Sequence, residues 1–235
     1  MGLILCLETA TAVCSVALVR NGSVIGHKES SAGNDHSATL TIFVEQVLSQ
    51  TGLCLKDLDA LAVSMGPGSY TGLRIGVSAA KGYCYALDIP LIAIPTLQAM
   101  AYGMKKLWEP KLQDNRPVLF CPMIDARRME VYTALYDLDN VCIRPVEAEI
   151  ITKDSFLPFL KDNILILSGS GAEKTESIFE EMPGMYFLKE FSHSAENFAD
   201  LAEKKYIKKE FEDLAYFEPF YLKDFVAGKP RVKGL

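Results

Sequence analysis

Gly66-Pro67-Gly68-Ser69-Tyr70-Thr71-Gly72-Leu73-Arg74-Ile75-Gly76 follows the apolar run Leu61-Ala62-Val63-Ser64 and opens a segment that reads as helix to about Leu87. Strand, glycine turn and helix start together make an α/β unit, because glycine permits φ > 0 and close backbone approach. The free N–H groups of such a helix start also attract negative charge. Two uses of the motif are open at this point. It cradles an anion, or it only turns the chain.

Upstream, Leu3-Ile4-Leu5-Cys6-Leu7-Glu8-Thr9 is an apolar strand that ends in a carboxylate and a hydroxyl. Ser15–Arg20 and Ser23–Gly26 flank Asn21-Gly22, the dipeptide that best marks a tight hairpin. Leu40, Phe43, Val44, Val47 and Leu48 recur at helical spacing, with Gly52 placed to end that helix. The order is three strands, helix, strand, helix. A fainter copy follows: strands Val118–Asp125, Val131–Tyr136 and Val141–Ile143 with an Asp139-Asn140 turn, then Ile164–Leu167 running into Ser168-Gly169-Ser170-Gly171 and a helical stretch. Two halves, 1–110 and 111–235, therefore predict a duplicated α/β unit with a cleft between its lobes.

The 235 residues carry a net charge of −6, with 49% hydrophobic and 23% charged residues, as in ordinary soluble globular chains. No apolar run approaches the ~20 residues that span a bilayer. Met1-Gly2-Leu3 has no basic region before Glu8, so it does not read as a signal peptide, and Cys6 stands where a myristoylation signal needs Ser or Thr. Six scattered cysteines without CxxC spacing read as free thiols of a reducing cytoplasm. Phosphate binding needs clustered Lys and Arg. The one dense basic stretch, Lys223, Lys229, Arg231 and Lys233, lies in the tail and reads first as solvated.

Glu8 and Asp125 stand at corresponding strand ends, where acids reach a cleft and can hold metal–phosphate or activate a nucleophile. They can equally cap turns. Ser168–Gly171 can cradle a nucleotide or cap the helix beginning near Ala172. His27, His36 and His193 show no ligand spacing, and His36 beside Ser37 reads as a helix-start residue. On Thr71–Leu87, one stripe is Leu73, Val77, Ala80, Cys84 and Leu87, and a second is Ile75, Ala79, Gly82, Tyr83 and Ala86. Apolar or small residues on two sides suggest a helix covered twice, by its own domain or by a partner.

The duplicated units with strand-end acids resemble the sugar kinase, actin and heat-shock chaperone ATPase architecture. Within it, Ile4–Thr9, Asp35-His36-Ser37, the Gly66–Gly76 motif, Asp125-Ala126-Arg127, Ser168–Gly171 and Pro219–Lys223 resemble the TsaB (YeaZ) family. Ala38 and Ile42 depart from the usual residues of its first helix. The resemblance implies a non-catalytic, cytoplasmic scaffold that acts with TsaD and TsaE to place threonylcarbamoyl on the adenosine beside the tRNA anticodon. Metal and ATP would belong to TsaD or to the joint between subunits, with nothing held tightly by this chain and tRNA touched only indirectly. TsaD carries a His-x-x-x-His pair where this chain, aligned through Leu91–Ile94, has Thr96 and Met100. The implied partner face, usable for self-association too, comprises His36, Thr39, Phe43, Ile75, Ala79, Gly82 and Tyr83. A residual nucleotide cleft would use Glu8, Thr9, Asp125, Gly169, Ser170 and Gly171. The competing expectation is a stand-alone ATPase or phosphotransferase that works through Glu8 and Asp125.

Overall fold

The structure, a computed structural model, describes residues 2–31, 36–108, 116–180 and 182–223. Strands β1 (Leu3–Glu8), β2 (Cys14–Arg20) and β3 (Ser23–Ser30) lead into helix α1 (His36–Thr51). Then come β4 (Ala60–Gly66), α2 (Tyr70–Leu87), β5 (Leu91–Pro95) and α3 (Thr96–Leu107). The second half gives β6 (Val118–Asp125), β7 (Glu130–Tyr136), β8 (Cys142–Ile150) and a single-turn α4 (Leu157–Leu160). It continues with β9 (Ile164–Ser168), α5 (Ser170–Phe179), β10 (Met185–Phe187) and α6 (Ala199–Lys208).

The two sheets have the same topology, β3-β2-β1-β4-β5 and β8-β7-β6-β9-β10, so the duplication is complete at the level of strand order. In each, the first three strands are antiparallel and the last two run parallel to the first. The hairpin at Asn21-Gly22 forms with both residues at positive φ, 54° and 74°, as a primed turn requires. The β10 strand has no counterpart in the sequence reading; three residues are too few for a periodic signal. The boundary between the halves falls at residues 109–115, outside the described residues.

Central strands are apolar on both sides, so each sheet needs cover on two faces. Leu3, Leu5 and Leu7 of β1 face α1 and α2, whereas Ile4 and Cys6 face the opposite way, onto Ala195 and Phe198 in the turn before α6 and Ala199 and Ala202 within it. In the second sheet, Leu119, Cys121 and Met123 face α4 and α5, and Phe120 and Ile124 face Leu97, Met100, Ala101 and Met104 of α3. The last helix of each half thus covers the sheet of the other half. The two exchanged helices touch: Tyr102 of α3 donates its hydroxyl to Asp200 of α6, Lys106 lies 3.6 Å from the same carboxylate, and Gly103 admits the Asn197 side chain.

The glycine motif seats α2 on the first hairpin. Ser69 caps the helix by accepting from Gly72 N–H, while Ser69 N–H donates to the Ala10 carbonyl at 2.7 Å. Thr9 donates its hydroxyl to the Gly72 carbonyl at 2.8 Å. A Cβ at Gly68 or Gly72 would run into the carbonyl oxygens of Ala10 and Thr9, and one at Gly76 into the Thr9 hydroxyl. Chain backbone therefore occupies the space that an anion would need for close approach to these glycines.

Two substitutions probe this packing. Gly72→Ala gains up to about 1 kcal/mol of helix propensity but should lose stability overall, by roughly 1–3 kcal/mol or more, since the Thr9 carbonyl cannot withdraw. Phe198→Ala, which empties a fully buried site between α6 and the first sheet, should cost roughly 3–5 kcal/mol. Denaturant unfolding checks both; a Gly72→Ala chain as stable as the parent would refute the seating role.

Candidate functional site

A cleft of about 950 Å³ lies between the lobes at the carboxyl ends of β1, β4, β6 and β9. Its walls are the Ala10–Ala12 turn, the Pro67–Gly72 loop, the Asp125–Arg128 turn with Glu130 and Tyr132, Ser170, and the Phe220–Lys223 segment. The resemblance-derived cleft residues divide here. Asp125 and Ser170 line it; Glu8, Thr9, Gly169 and Gly171 do not.

Glu8 and Thr9 are turned into the packing. The Glu8 and His193 side chains are 0% and 2% exposed, and Glu8 Oε2 pairs with His193 Nε2 at 2.7 Å. Glu8 Oε1 accepts from Ala10 N–H. The other ring nitrogen of His193 meets Asn197 Nδ2 at 3.4 Å, and the ring packs between Phe191 and Phe198. Glu8 thus ties the segment that enters α6 to the end of β1. Sequence spacing could not show this pairing, because 185 residues separate the partners. Gly169, at φ 96°, and Gly171 are likewise structural: a Cβ at either would meet Met123. Met100 packs against Gly169 across the lobes, and Thr96 accepts from Gly66 N–H at 3.1 Å within the first lobe, so the two positions aligned with the histidine pair serve packing. Among the described residues no three His, Cys, Asp or Glu side chains are grouped to hold a metal ion.

Asp125 is half exposed, and its carboxylate is already engaged. Lys174 donates to Oδ1, Arg127 N–H donates to the same oxygen at 2.7 Å, and Asp125 N–H donates to Ser170 Oγ at 3.1 Å. Burial pushes this carboxyl up, but the Lys174 and Arg127 bonds outweigh it and hold it below its ordinary value. Lys174 also donates to the carbonyls of Arg128 and Glu130, both at 2.6 Å. The Lys174 role carries no sequence signal, since the lysine sits in a different element from the turn it fastens.

The chain after α6 returns across α2. Lys81 donates to the Ala215 and Phe217 carbonyls, Phe220 N–H donates to Met65 O at 2.7 Å, and Arg74 donates to the Tyr221 hydroxyl while lying over the Tyr70 ring. Lys223 ends the described segment in a salt bridge to Glu130 of the second lobe. That lysine, read from sequence as solvated tail, is a strap across the cleft; Lys229, Arg231 and Lys233 lie outside the described residues.

The expected partner residues form one neighbourhood on α1 and α2. His36 opens α1 and its Nε2 meets the Thr11 carbonyl at 3.0 Å; Asp35 lies outside the described residues. Thr39, Phe43, Ile75, Ala79 and Tyr83 are half-buried, the last four against the core beneath. Burial pushes the Tyr83 phenol up. Gly82 faces open space, flanked by Ser78 and by Tyr85, which is 84% exposed. All six cysteines are unpaired; Cys6, Cys14, Cys84 and Cys121 are buried, and burial pushes Cys84 and Cys121 up to about 12.

Glu8→Ala should lower stability by roughly 2–5 kcal/mol, because His193 and Ala10 N–H would be left buried without partners. Chemical denaturation measures the loss; a neutral result would remove the pair from the folding account.

Comparison with known proteins converges on one family. Residues 26–229 match the family model described as "TsaD: tRNA N6-adenosine threonylcarbamoyltransferase". A TsaB named as a tRNA threonylcarbamoyladenosine biosynthesis protein in Bacillus subtilis is 31% identical over 185 residues, 77% of this chain and 76% of that one. The Escherichia coli protein of the same name is 39% identical over 137 residues, 58% of this chain and 56% of its own length, so the matched stretch spans little more than half of that relative. The solved structure of YeaZ from Pseudomonas aeruginosa superposes with a TM-score of 0.79, covering 94% of this chain and 100% of that one; at 24% identity it shows the fold. The chain belongs to the TsaB (YeaZ) family, within the wider tRNA N6-adenosine threonylcarbamoyltransferase group.

Proposed function

We propose that this chain is a non-catalytic scaffold subunit for tRNA threonylcarbamoyladenosine synthesis, working in the cytoplasm with TsaD and TsaE. The names of its relatives supply the process. The observation that carries the scaffold reading is the state of the two strand-end acids. Glu8 is paired with His193 away from the cleft, and Asp125 is held by Lys174. A stand-alone ATPase or phosphotransferase needs both carboxylates directed at a metal–phosphate or a nucleophile. Metal and ATP are accordingly assigned to TsaD or to the joint between subunits, and tRNA chiefly to the partner.

The α1–α2 neighbourhood supports docking of TsaD, or of a second copy. Gly82 has no side chain and open space around it, which lets a facing helix approach closely, and Tyr85 and Ile42 stand exposed nearby in sequence on the same two helices. Ala79 already packs on the core, so a charge there would disturb the free subunit as well. Gly82 is the cleaner probe. Gly82→Glu should leave thermal melting of the free protein unchanged or slightly raised, since the side chain meets nothing. In the complex the carboxylate would be buried without a counter-charge, at a cost of several kcal/mol, or more than about a hundredfold in Kd. Titration with TsaD and a reconstituted tRNA-modification assay read the effect. Wild-type affinity in the variant would remove this face from the interface, and robust ATP hydrolysis by the lone subunit would restore the enzyme reading.

A further inference from the structure

Both helices of the docking face stand on one short turn, residues 9–11. Thr9 donates its hydroxyl to the Gly72 carbonyl at 2.8 Å, and Ser69 N–H donates to the Ala10 carbonyl at 2.7 Å, so two bonds fix the start of α2. At the start of α1, His36 Nε2 meets the Thr11 carbonyl at 3.0 Å. Gly68, Gly72 and Gly76 bring α2 so close to this turn that neither can shift alone. The turn is held from beneath by Glu8, whose Oε1 accepts from Ala10 N–H and whose Oε2 pairs with His193 Nε2 at 2.7 Å.

His193 belongs to the seam between the lobes. Its ring lies between Phe191, which packs with Phe120 and Ile166 of the second sheet, and Phe198, which packs on the first. Asn197 meets its other nitrogen at 3.4 Å and packs into Gly103 of α3, the helix that covers the second sheet. Ala195 and Phe198 touch the face of the first sheet opposite to α1 and α2. A buried polar network of this kind admits few alternative geometries, because each bond lost leaves an unpaired group in an apolar surrounding. We propose that the Glu8–His193 pair is a positioning device for the docking face: it sets the turn on which α1 and α2 are seated, and so couples partner binding on those helices to the seam on the other side of the sheet. The coupling is reciprocal, so a partner that fixes the two helix starts also steadies residues 191–198, and a disturbed seam weakens the partner. This rests on the docking reading given above for α1 and α2.

The test measures amide hydrogen exchange of the full chain, free and bound to TsaD, by mass spectrometry. Binding should slow exchange over 36–51 and 70–87, and also, by about threefold or more, over the remote residues 191–198. Glu8→Met/His193→Phe replaces both partners with apolar groups of similar size, which limits the loss of stability. It should abolish the slowing over 191–198, keep that over the two helices, and weaken TsaD binding about tenfold. Glu8→Gln keeps an acceptor for Ala10 N–H and a donor for His193, and should bind within about threefold of the parent. The wild-type measurement needs no variant and decides the proposal even where the double variant fails to fold. The proposal alone is overturned if the parent binds TsaD with exchange over 191–198 unchanged, if a folded double variant binds like the parent, or if Glu8→Gln is as weak as the double variant. Absence of TsaD binding by the parent, or wild-type affinity in Gly82→Glu, overturns the docking reading and the coupling with it.

Discussion

Two sheets whose central strands are apolar on both faces must be covered four times, and this chain meets the requirement by exchanging helices. The outer faces are covered locally, by α1 and α2 on one lobe and by α4 and α5 on the other. The inner faces are covered from the opposite half, by the α6 region on the first sheet and by α3 on the second. Because α3 and α6 also touch through Tyr102, Lys106 and Asp200, the lobes are joined by packed helices as well as by linker. The cleft inherits its geometry from that middle layer.

The same packing decides what the two strand-end acids meet. Glu8 sits where a strand-end acid could enter the cleft, yet the entry of α6 brings His193 against it in a fully buried pair. Leaving either partner alone in that apolar surrounding would be costly, so the carboxyl is committed to structure. Asp125 remains near solvent, with Oδ1 accepting from Lys174 and the Arg127 N–H. The glycines of the Gly66–Gly76 motif, in turn, let the Thr9–Ala10 backbone lie directly on α2. The cleft lining that remains exposed includes Arg127 and Arg128 beside the lysine-bound Asp125.

The strap formed by residues 211–223 settles a further point about surfaces. It covers one flank of α2 through Lys81, Arg74 and Tyr221, while the flank toward α1 is filled by Phe43, Ile75 and Ala79. The outward ridge at Ser78, Gly82 and Tyr85 remains open. A helix that read as apolar on two sides is therefore covered mostly by its own chain, and the ridge suited to a second protein is the small one.

Local signals were legible in the sequence. The Asn21-Gly22 turn, α2 ending at Leu87, the spacing of Leu40, Val44, Val47 and Leu48, and the succession of elements from β1 to α2 and from β6 to β9 follow from periodicities of 2.0 and 3.6 and from residues that alone tolerate particular dihedrals. So does the placement of Asp125 at a strand end. Other features required coordinates because they join residues far apart in the chain: Glu8 with His193, Asp125 with Lys174, Gly66 with the Phe220 carbonyl, and α3 with the second sheet. An acid at a strand end has the same one-letter pattern whether it faces a cleft or a buried histidine. Sequence determined which elements form and which groups stand at their ends; only the tertiary structure decided what each end group meets, because that depends on distant backbone brought within bonding distance by the burial of both sheet faces.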